Sequence, residues 1–228
     1  MSGRLATGCA PLDELLGGGV ERGTLTEFFG EGGSGKTNIC LVLAANVARA
    51  GKKAIYIDTE GLSLERLFQI AGGDKDKAAA EAIMKNVFVF DARDLDEQEE
   101  AVNKSIALAE QLDDVDLIVL DSATSQYRRF FGTDEEGRSR QRLGVLITRL
   151  LRAARTRKIP IVITNQVYTD INNDKFEPLG GHALSHSSKA IVRIERLGPG
   201  RRKATVEKHR SIGEGASAEF RITADGIA

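Results

Sequence analysis

Residues 25–37, LTEFFGEGGSGKT, decide the fold of this chain. A short apolar run, 25–29, leads into a glycine-rich stretch, and a Lys-Thr pair then opens an apolar pattern with helical spacing. Residues 30–37 match GxxxxGK[ST] in full. Glycines let backbone amides curl around phosphate oxygens, and the helix that follows directs N–H groups and a positive dipole end at the same anion. We therefore predict a strand, a phosphate-binding loop and a helix, in that order.

This loop predicts a site for ATP and Mg²⁺. Lys36 would reach the β- and γ-phosphates as a point charge, and the Thr37 hydroxyl would complete the ligand set of the Mg²⁺. The alternative is a glycine-rich turn that matches by chance, and the strand and helix predicted on either side argue against it. The predicted nucleotide-binding residues of the loop are Gly30, Glu31, Gly32, Gly33, Ser34, Gly35, Lys36 and Thr37.

Outward from the loop, apolar strands alternate with amphipathic helices. This order predicts an α/β fold with a mostly parallel, twisted sheet flanked by helices. The tail of the chain changes to β-like runs joined by Gly and Pro turns, which predicts antiparallel strands at the sheet edge. The predicted strands are 25–29, 54–57, 87–90, 117–120, 159–164, 190–196, 203–208 and 218–222, and the predicted helices are 37–50, 64–71, 75–85, 97–112 and 141–157.

Composition excludes several classes of protein. The chain has 228 residues with 41% hydrophobic and 29% charged side chains, which excludes a disordered or fibrous chain. A net charge of −1 excludes a globally basic nucleic-acid binder but leaves a locally basic face open. Cys9 and Cys40 form neither a disulfide framework nor a zinc motif, so we expect a reducing, cytoplasmic setting. No apolar run approaches the length of a membrane span.

Three polar residues follow predicted strands and belong at the carboxyl edge of the sheet, beside the loop. Asp121 ends an apolar strand and would hold the Mg²⁺, through water. Glu60 could polarise an attacking water, and Gln166 could hydrogen-bond a γ-phosphate. Polar residues are common at strand ends, so a solvated acid and an ordinary amide are the alternatives for Glu60 and Gln166. The spacing alone does not decide between them.

Six ordered blocks of sequence carry a family resemblance. The chain resembles the ATPase core of the RecA/RadA recombinases over residues 5–227, and most closely the short archaeal paralogues of that family. The resemblance implies a RecA-type core. The blocks are TG and LDELLGGG at 7–8 and 12–19, EFFG at 27–30, YIDTEG and ERL at 56–61 and 65–67, DSAT at 121–124, ITNQV at 163–167, and GGH and SHS at 180–182 and 185–187.

Matched by position, the resemblance assigns roles to single residues. It implies that Glu60 is the catalytic carboxylate and that Gln166 senses the γ-phosphate. Lys36, which would reach the γ-phosphate, joins them as a predicted catalytic residue. Arg66 matches the arginine that packs on adenine. Residues 127–140 and 167–184 match the two DNA-facing loops of the recombinases.

Departures from the family pattern favour an accessory protein over a strand-exchange enzyme. RadA-type recombinases carry an N-terminal helix-hairpin-helix domain and a Phe-x-x-Ala linker that docks on the neighbouring subunit. Here four residues precede Leu5, so we expect a single RecA-like domain over 1–228, with dimers left open and long filaments disfavoured. The second loop carries a charge of −2, which suits phosphate contacts poorly.

Basic residues concentrate in two other segments, which predict sequence-independent contacts to single-stranded or branched DNA. Residues 196–210 carry a charge of +5 and include Lys-His-Arg where RadA-type chains cap a neighbour's ATP. The first loop adds arginines, and Tyr127 and Phe130 could stack bases there. A solvated face is the alternative for either charge run. The predicted DNA contacts are Tyr127, Arg128, Arg129, Arg138, Arg140, Arg201, Arg202, Lys203, Lys208, His209 and Arg210.

The predicted function is that of an ATP- and DNA-binding recombinase paralogue. It would act in homologous recombination and DNA repair as an accessory or mediator with a weak Mg²⁺-dependent ATPase, and its protein partners would be the main RadA-type recombinase or other recombination proteins. Two alternatives stay open at this point. One is a DNA-stimulated strand-exchange recombinase, and the other is a nucleotide-gated binding module without significant hydrolysis.

Overall fold

The computed structural model describes residues 3–130, 132–170, 175–178 and 181–228. In chain order the strands are β1 Arg4–Leu5, β2 Val20–Glu21, β3 Leu25–Gly30, β4 Lys53–Asp58, β5 Val87–Asp91, β6 Val115–Asp121, β7 Ile161–Asp170, β8 Lys175–Pro178, β9 Ala190–Arg196, β10 Arg201–His209, β11 Ser217–Thr223 and β12 Gly226–Ile227. The helices are α1 Ala10–Leu15, α2 Lys36–Arg49, α3 Leu64–Ile70, α4 Lys77–Met84, α5 Leu95–Gln111, α6 Glu136–Arg157 and α7 Gly181–Ser187, and a 3₁₀ turn spans Tyr127–Phe130.

One large sheet organises the molecule, in the order β12-β11-β10-β9-β3-β7-β6-β4-β5, with β8 paired to β7. Strands β9, β3, β7, β6, β4 and β5 pair in parallel, and β10, β11 and β12 continue the sheet in antiparallel pairs. The predicted α/β architecture, with a parallel sheet and antiparallel C-terminal strands, is confirmed. Strand β3 lies between β7 and β9, so the loop that follows it stands where the two parts of the sheet meet.

Each face of the sheet is covered by its own apolar cluster. On one face Phe28, Tyr56 and Val192 pack against α2, whose Ile39, Leu41 and Leu43 are almost fully buried. On the other face Leu120 and Ile163 pack against α5 and α6. Strands that are buried on both faces read as continuous apolar runs, which explains why the central strands were readable from sequence.

The starts of three helices, α4, α5 and α6, deviate from the predicted bounds, and in two of these helices a side chain caps the first turn. Helix α5 begins at Leu95, before the predicted residue 97, because the Asp94 carboxylate accepts a hydrogen bond from Glu97 N at 2.8 Å. Helix α4 begins at Lys77, since Asp76 accepts from Ala79 N at 3.0 Å. Helix α6 begins at Glu136 and not at 141, which shortens the first loop.

Candidate nucleotide site and basic surface

The phosphate-binding loop joins β3 to α2, as its sequence predicts. At Gly30 (φ 154°) a Cβ would lie 2.2 Å from Ile194 O of the neighbouring strand β9. At Gly35 (φ 106°), the residue before α2, a Cβ would lie 2.9 Å from Ile222 Cδ1. Gly32 has no atom within 4 Å of its hypothetical Cβ. The first and last glycines of the motif are therefore enforced by the packing around the loop.

The Lys36 side chain folds back over the loop. Its ammonium donates to Gly30 O at 2.8 Å and Glu31 O at 2.9 Å, and it lies 3.4 Å from Ser34 Oγ. Burial lowers the pKa of Lys36, and the charges of Asp121 and Glu60 oppose that shift. The ammonium is thus held inside the loop, in the field of two carboxylates from other strands.

Asp121 ends β6 with both carboxylate oxygens hydrogen-bonded. Tyr56 OH donates to Oδ2 at 2.5 Å, and Thr164 Oγ1 donates to Oδ1. Burial and the Asp121 charge raise the pKa of Tyr56 well above its usual value, so the phenol stays protonated as a donor. Because two hydroxyls already occupy Asp121, this carboxylate suits a hydrated Mg²⁺, which keeps several of its waters in protein sites.

Glu60 is presented by a tight turn after β4. The Asp58 carboxylate accepts hydrogen bonds from Glu60 N at 3.1 Å, from Gly61 N at 3.0 Å and from Leu62 N. The Thr59 hydroxyl accepts from Ser122 N at 2.8 Å, which ties this turn to the end of β6. Partial desolvation of the Glu60 carboxylate, and then the Asp121 charge, raise its pKa.

Gln166 lies between Glu60 and the first loop. Its Nε2 donates to Glu60 Oε1 at 2.7 Å, and its Oε1 accepts from Arg128 Nη1 at 2.9 Å. The structure therefore brings together Lys36, Asp121, Glu60 and Gln166 at the carboxyl edge of four neighbouring strands. It also joins Arg128 to this group, a connection that no sequence pattern indicates.

Arg66 stands on α3 beside the C-terminal strands. Its guanidinium donates to the carbonyls of Thr223 at 2.6 Å and Ala224 at 2.7 Å, and its Nε donates to Asn38 Oδ1 on α2 at 2.9 Å. These bonds use the edge of the guanidinium plane. They fix Arg66 next to the helix that follows the phosphate-binding loop, where the resemblance places an adenine-facing arginine.

The family follows from a comparison of the whole chain. The Rad51 family model matches residues 3–228. The chain belongs to the Rad51 family. Among its relatives, the "DNA repair and recombination protein RadB" of Methanococcoides burtonii is 47% identical, with 98% of this chain and 97% of the relative covered. The protein of the same name from Halobacterium salinarum strain R1 is 46% identical, with 98% and 94% covered.

A solved structure supports the same relationship. One titled "Crystal structure of the RadB recombinase" is 34% identical, superposes with a TM-score of 0.82 and covers 98% of both chains. The predicted resemblance to the RecA/RadA recombinases, and within them to the short archaeal paralogues, is confirmed. Membership of the Rad51 family of ATPase domains implies nucleotide binding.

The position of Arg202 in this Rad51-family chain does not suit the DNA contact predicted for it. The residue is 8% exposed and lies behind the phosphate-binding loop, where its Nε donates to Ser34 O at 2.7 Å. Alternation along β10 could have indicated this, because Arg202 shares the inward face with Ala204 and Val206. In this structure Arg202 is inaccessible to a DNA phosphate.

The segment that the resemblance matches to a first DNA-facing loop, 127–140, also differs from the expectation. Tyr127 is 3% exposed and packs in the core with Leu143 and Ile147, so its ring cannot stack on a base in this conformation. Phe130 is half-buried against the same cluster. Two predicted loop arginines, Arg138 and Arg140, stand exposed on the first turns of α6, and Arg140 pairs with Glu136. Arg128 and Arg129 are exposed on the 3₁₀ turn.

The basic segment 196–210 is partly neutralised by acids from other strands. Arg201 pairs with Glu219 at 2.7 Å and Arg210 pairs with Glu21 of β2. Lys208 Nζ donates to the Ser185 carbonyl of α7. The excess positive charge of the surface is therefore smaller than the sequence count of +5 implies.

The predicted second DNA-facing loop, 167–184, lies only partly within the described residues. Asp174 of the acidic second loop and Gly180 of the GGH block lie outside the described residues. Burial and the nearby Arg4 charge lower the pKa of His209, whose Nδ1 accepts a hydrogen bond from Ser211 N at 3.1 Å.

Within the described part of the chain, no group of three or more His, Cys, Asp or Glu is placed to hold a metal ion. In that same part, none of the helices is long and apolar enough to cross a membrane.

Proposed function

We propose that this chain is an ATP- and DNA-binding recombinase paralogue that acts in homologous recombination and DNA repair as an accessory or mediator. In this proposal residues 1–228 form a single RecA-like ATPase domain with weak Mg²⁺-dependent hydrolysis. The convergence of Lys36, Asp121 and Glu60 carries the proposal, because the strands that precede them, β3, β6 and β4, end at one edge of the sheet.

The residues present fit a nucleotide with its metal ion. Gly30–Thr37 would hold the phosphates, Arg66 would face the adenine, and Thr37 with Asp121 would hold Mg²⁺ through oxygen atoms, the ligands that this ion prefers. Bound MgATP supplies a polarised phosphoanhydride bond. Hydroxyls of Tyr56 and Thr164 keep Asp121 in one orientation, and that orientation favours a water-mediated contact to the ion.

Glu60 would orient the attacking water and accept its proton. A raised pKa makes the carboxylate a stronger base than an ordinary surface glutamate, and the Asp58 turn fixes where it points. Gln166 donates to that same carboxylate and would move its amide to the γ-phosphate. These two residues, together with Lys36, are the proposed catalytic group.

DNA contacts are proposed for the exposed and half-buried basic residues of both segments. Names of relatives that describe DNA repair and recombination support this part. The proposed contacts to single-stranded or branched DNA are Arg128, Arg129, Arg138, Arg140, Arg201, Lys203, Lys208, His209 and Arg210. Protein partners would be the main RadA-type recombinase or other recombination proteins, with a dimer left open and long filaments disfavoured. Free, buried thiols of Cys9 and Cys40 support a reducing, cytoplasmic setting.

Two rival functions share the same nucleotide site. A strand-exchange recombinase would hydrolyse ATP in a strongly DNA-stimulated manner, and a nucleotide-gated module would bind ATP without significant turnover. The hydrogen-bonded path from Arg128 through Gln166 to Glu60 favours a protein in which nucleotide and DNA sites communicate.

The deciding experiment measures ATP turnover with and without single-stranded DNA, alongside DNA binding with and without ATP. Lys36→Ala should abolish nucleotide binding and every ATP-dependent difference while the chain stays folded, since the ammonium serves the loop rather than the apolar core. Lys85→Ala, an exposed lysine after α4, is the matched control. Unchanged ATP affinity in Lys36→Ala would mean that the loop is not a nucleotide site.

A further inference from the structure

The guanidinium of Arg202 is the best-connected buried cation in the described part of the chain, and the proposed function does not use it. It donates to Ser34 O at 2.7 Å and Gly33 O at 3.3 Å in the phosphate-binding loop. It also donates to Gly198 O at 3.3 Å and Arg201 O at 2.8 Å in the hairpin between β9 and β10. One side chain thus joins the loop to the C-terminal antiparallel strands.

We propose that Arg202 is the positioning residue of the phosphate-binding loop, which aims the loop amides at a bound phosphate from behind. This inference rests on the proposed nucleotide site. Arg202 would not touch the nucleotide, because its polar atoms are occupied by loop and hairpin carbonyls.

Peptide geometry explains how Arg202 would act. In a planar trans peptide the C=O and N–H groups point in opposite directions. Because Arg202 draws the Ser34 carbonyl toward itself, the N–H of Gly35 faces the opposite way, into the loop. Ser34 N closes the turn onto Glu31 O at 3.2 Å, so the Gly33 contact fixes that turn as well. The Gly35 amide and the turn before it are therefore held in place before any anion arrives.

Charge adds to this geometric effect. The pKa of Arg202 is lowered by burial and by the nearby Arg196, yet a guanidinium remains charged at any physiological pH. A permanent positive charge behind the loop favours anionic phosphates in front of it. Hydrogen bonds from a charged donor are also stronger than neutral ones, which makes this support stiff.

The hairpin is the other end of the connection. Arg202 lies between two residues of the proposed DNA surface, Arg201 and Lys203, and alternation along β10 puts those neighbours on the opposite face. A ligand that displaces the hairpin would therefore also displace the carbonyls of the loop. The same residue couples the basic segment to nucleotide affinity.

ADP binding by the full chain tests the inference. We expect Arg202→Gln to weaken ADP binding by about tenfold or more, because the glutamine carries no charge and reaches fewer carbonyls. Arg202→Lys should be intermediate. Arg221→Gln, which removes an exposed arginine from the adjacent strand β11, is the matched control and should bind like the parent.

Measuring in Mg²⁺ and again in EDTA separates this role from that of the metal site. The loss in Arg202→Gln should have the same size in both conditions, since the amides act on phosphate directly, whereas Asp121→Asn should weaken binding only when Mg²⁺ is present. Circular dichroism below the unfolding transition checks that each variant is folded. If Arg202→Gln does not fold, Arg202→Lys alone decides, and parental ADP affinity in that variant would refute the proposal.

The outcomes distinguish this inference from the function beneath it. If Arg202→Gln binds ADP as tightly as the parent while Lys36→Ala does not bind, Arg202 is only structural and the nucleotide site stands. Equal losses in Arg202→Gln and Arg221→Gln would point to a general charge effect and would also overturn the positioning role. A parent chain that binds no ADP would overturn the proposed function, and this inference with it.

Discussion

The amide of Gln166 joins Glu60 to Arg128, with hydrogen bonds of 2.7 Å to the carboxylate and 2.9 Å to the guanidinium. A guanidinium can only donate hydrogen bonds, so Arg128 must bind the amide oxygen of Gln166. The amide nitrogen of Gln166 then points toward Glu60. That nitrogen lowers the pKa of Glu60, against the effect of burial. The contact restrains the proposed base and ties the restraint to an exposed arginine.

Removing this anchor should release the base. In Arg128→Ala the amide of Gln166 is free to rotate, and we expect DNA-independent ATP turnover to rise roughly 2- to 10-fold, with less further stimulation by DNA. Steady-state turnover with and without single-stranded DNA measures both changes. Arg221→Ala, which removes an exposed arginine that is not among the proposed DNA contacts, is the control. Identical behaviour of the two variants would remove Arg128 from the coupling.

Glu60→Gln should retain ATP and lose hydrolysis. Loss of a positioned base costs about 10²- to 10⁴-fold in the chemical step, which single-turnover assays with excess enzyme measure directly. Because the pKa of Glu60 is raised, the parent rate should increase as pH rises above 4.5, the usual glutamate value, and level off once the carboxylate is ionised. Glu65→Gln, an exposed acid on α3, should leave the rate unchanged. If Glu60→Gln hydrolyses ATP at the parental rate, Glu60 has no catalytic role and is only an acid at the end of a strand.

The Lys-His-Arg segment should bind DNA phosphates. We expect the double variant Lys208→Ala with Arg210→Ala to weaken DNA binding uniformly across sequences, and each lost contact should lower the salt slope by about 0.7 to 0.9. Equilibrium titrations at several salt concentrations, without nucleotide, give that slope. A decrease in ATP affinity or assembly with an unchanged slope would instead place the segment at a neighbour's ATP.

The control for this experiment removes two lysines from another surface. Lys77→Ala with Lys85→Ala changes the net charge equally on and beside α4, and it should affect the slope less. If neither quantity moves in the Lys208 and Arg210 variant, the segment is a solvated face, and the DNA contact should be sought at Arg128 and Arg129.

Glu27 predicts a pH dependence of stability. This carboxyl group is 1% exposed and accepts hydrogen bonds from Asn165 at 2.8 Å and Ser188 at 3.2 Å. Burial raises its pKa above the usual 4.5, and the Lys208 charge opposes that shift. Between the unfolded and folded pKa values the folded state binds more protons, so the contribution of Glu27 to stability falls as pH rises through this window.

Denaturant unfolding of the parent and of Glu27→Gln, at a series of pH values from about 4 upward, measures this contribution. The free energy of unfolding of the parent should fall relative to that of Glu27→Gln as pH rises, because the amide cannot ionise. A constant difference across the range would show that Glu27 titrates normally despite its burial.

The sequence predicted the parts of this protein in which backbone and chemistry obey local rules. The glycine-lysine motif, the apolar strands and the polar residues after them specify where Lys36, Asp121 and Glu60 meet, since parallel strands end at one edge of the sheet. The sequence did not predict contacts between segments that are far apart in the chain. No local pattern relates Arg128 to Gln166, or Arg210 to Glu21, because those pairs depend on how strands far apart in the chain are placed.

Counting basic residues did not correctly predict which of them are accessible to DNA, for a related reason. A run of basic residues along a strand alternates between two faces, so Arg202 and Arg201 differ completely in environment although they are neighbours. The burial of Tyr127 was not predicted, because an aromatic residue beside arginines suits both base stacking and core packing. Only the position of α6 over the 3₁₀ turn decides between the two.

Gly30 and Gly32 show that one motif can record two kinds of constraint. A Cβ on Gly30 would strike Ile194 O at 2.2 Å, whereas a Cβ on Gly32 would meet nothing within 4 Å. A saturation mutagenesis screen selected only for soluble expression should therefore reject nearly every substitution at Gly30 and accept many at Gly32. A second selection for ATP-dependent function would add requirements at Lys36. Comparing the two selections would distinguish the motif residues that packing against the sheet requires from those that nucleotide binding requires.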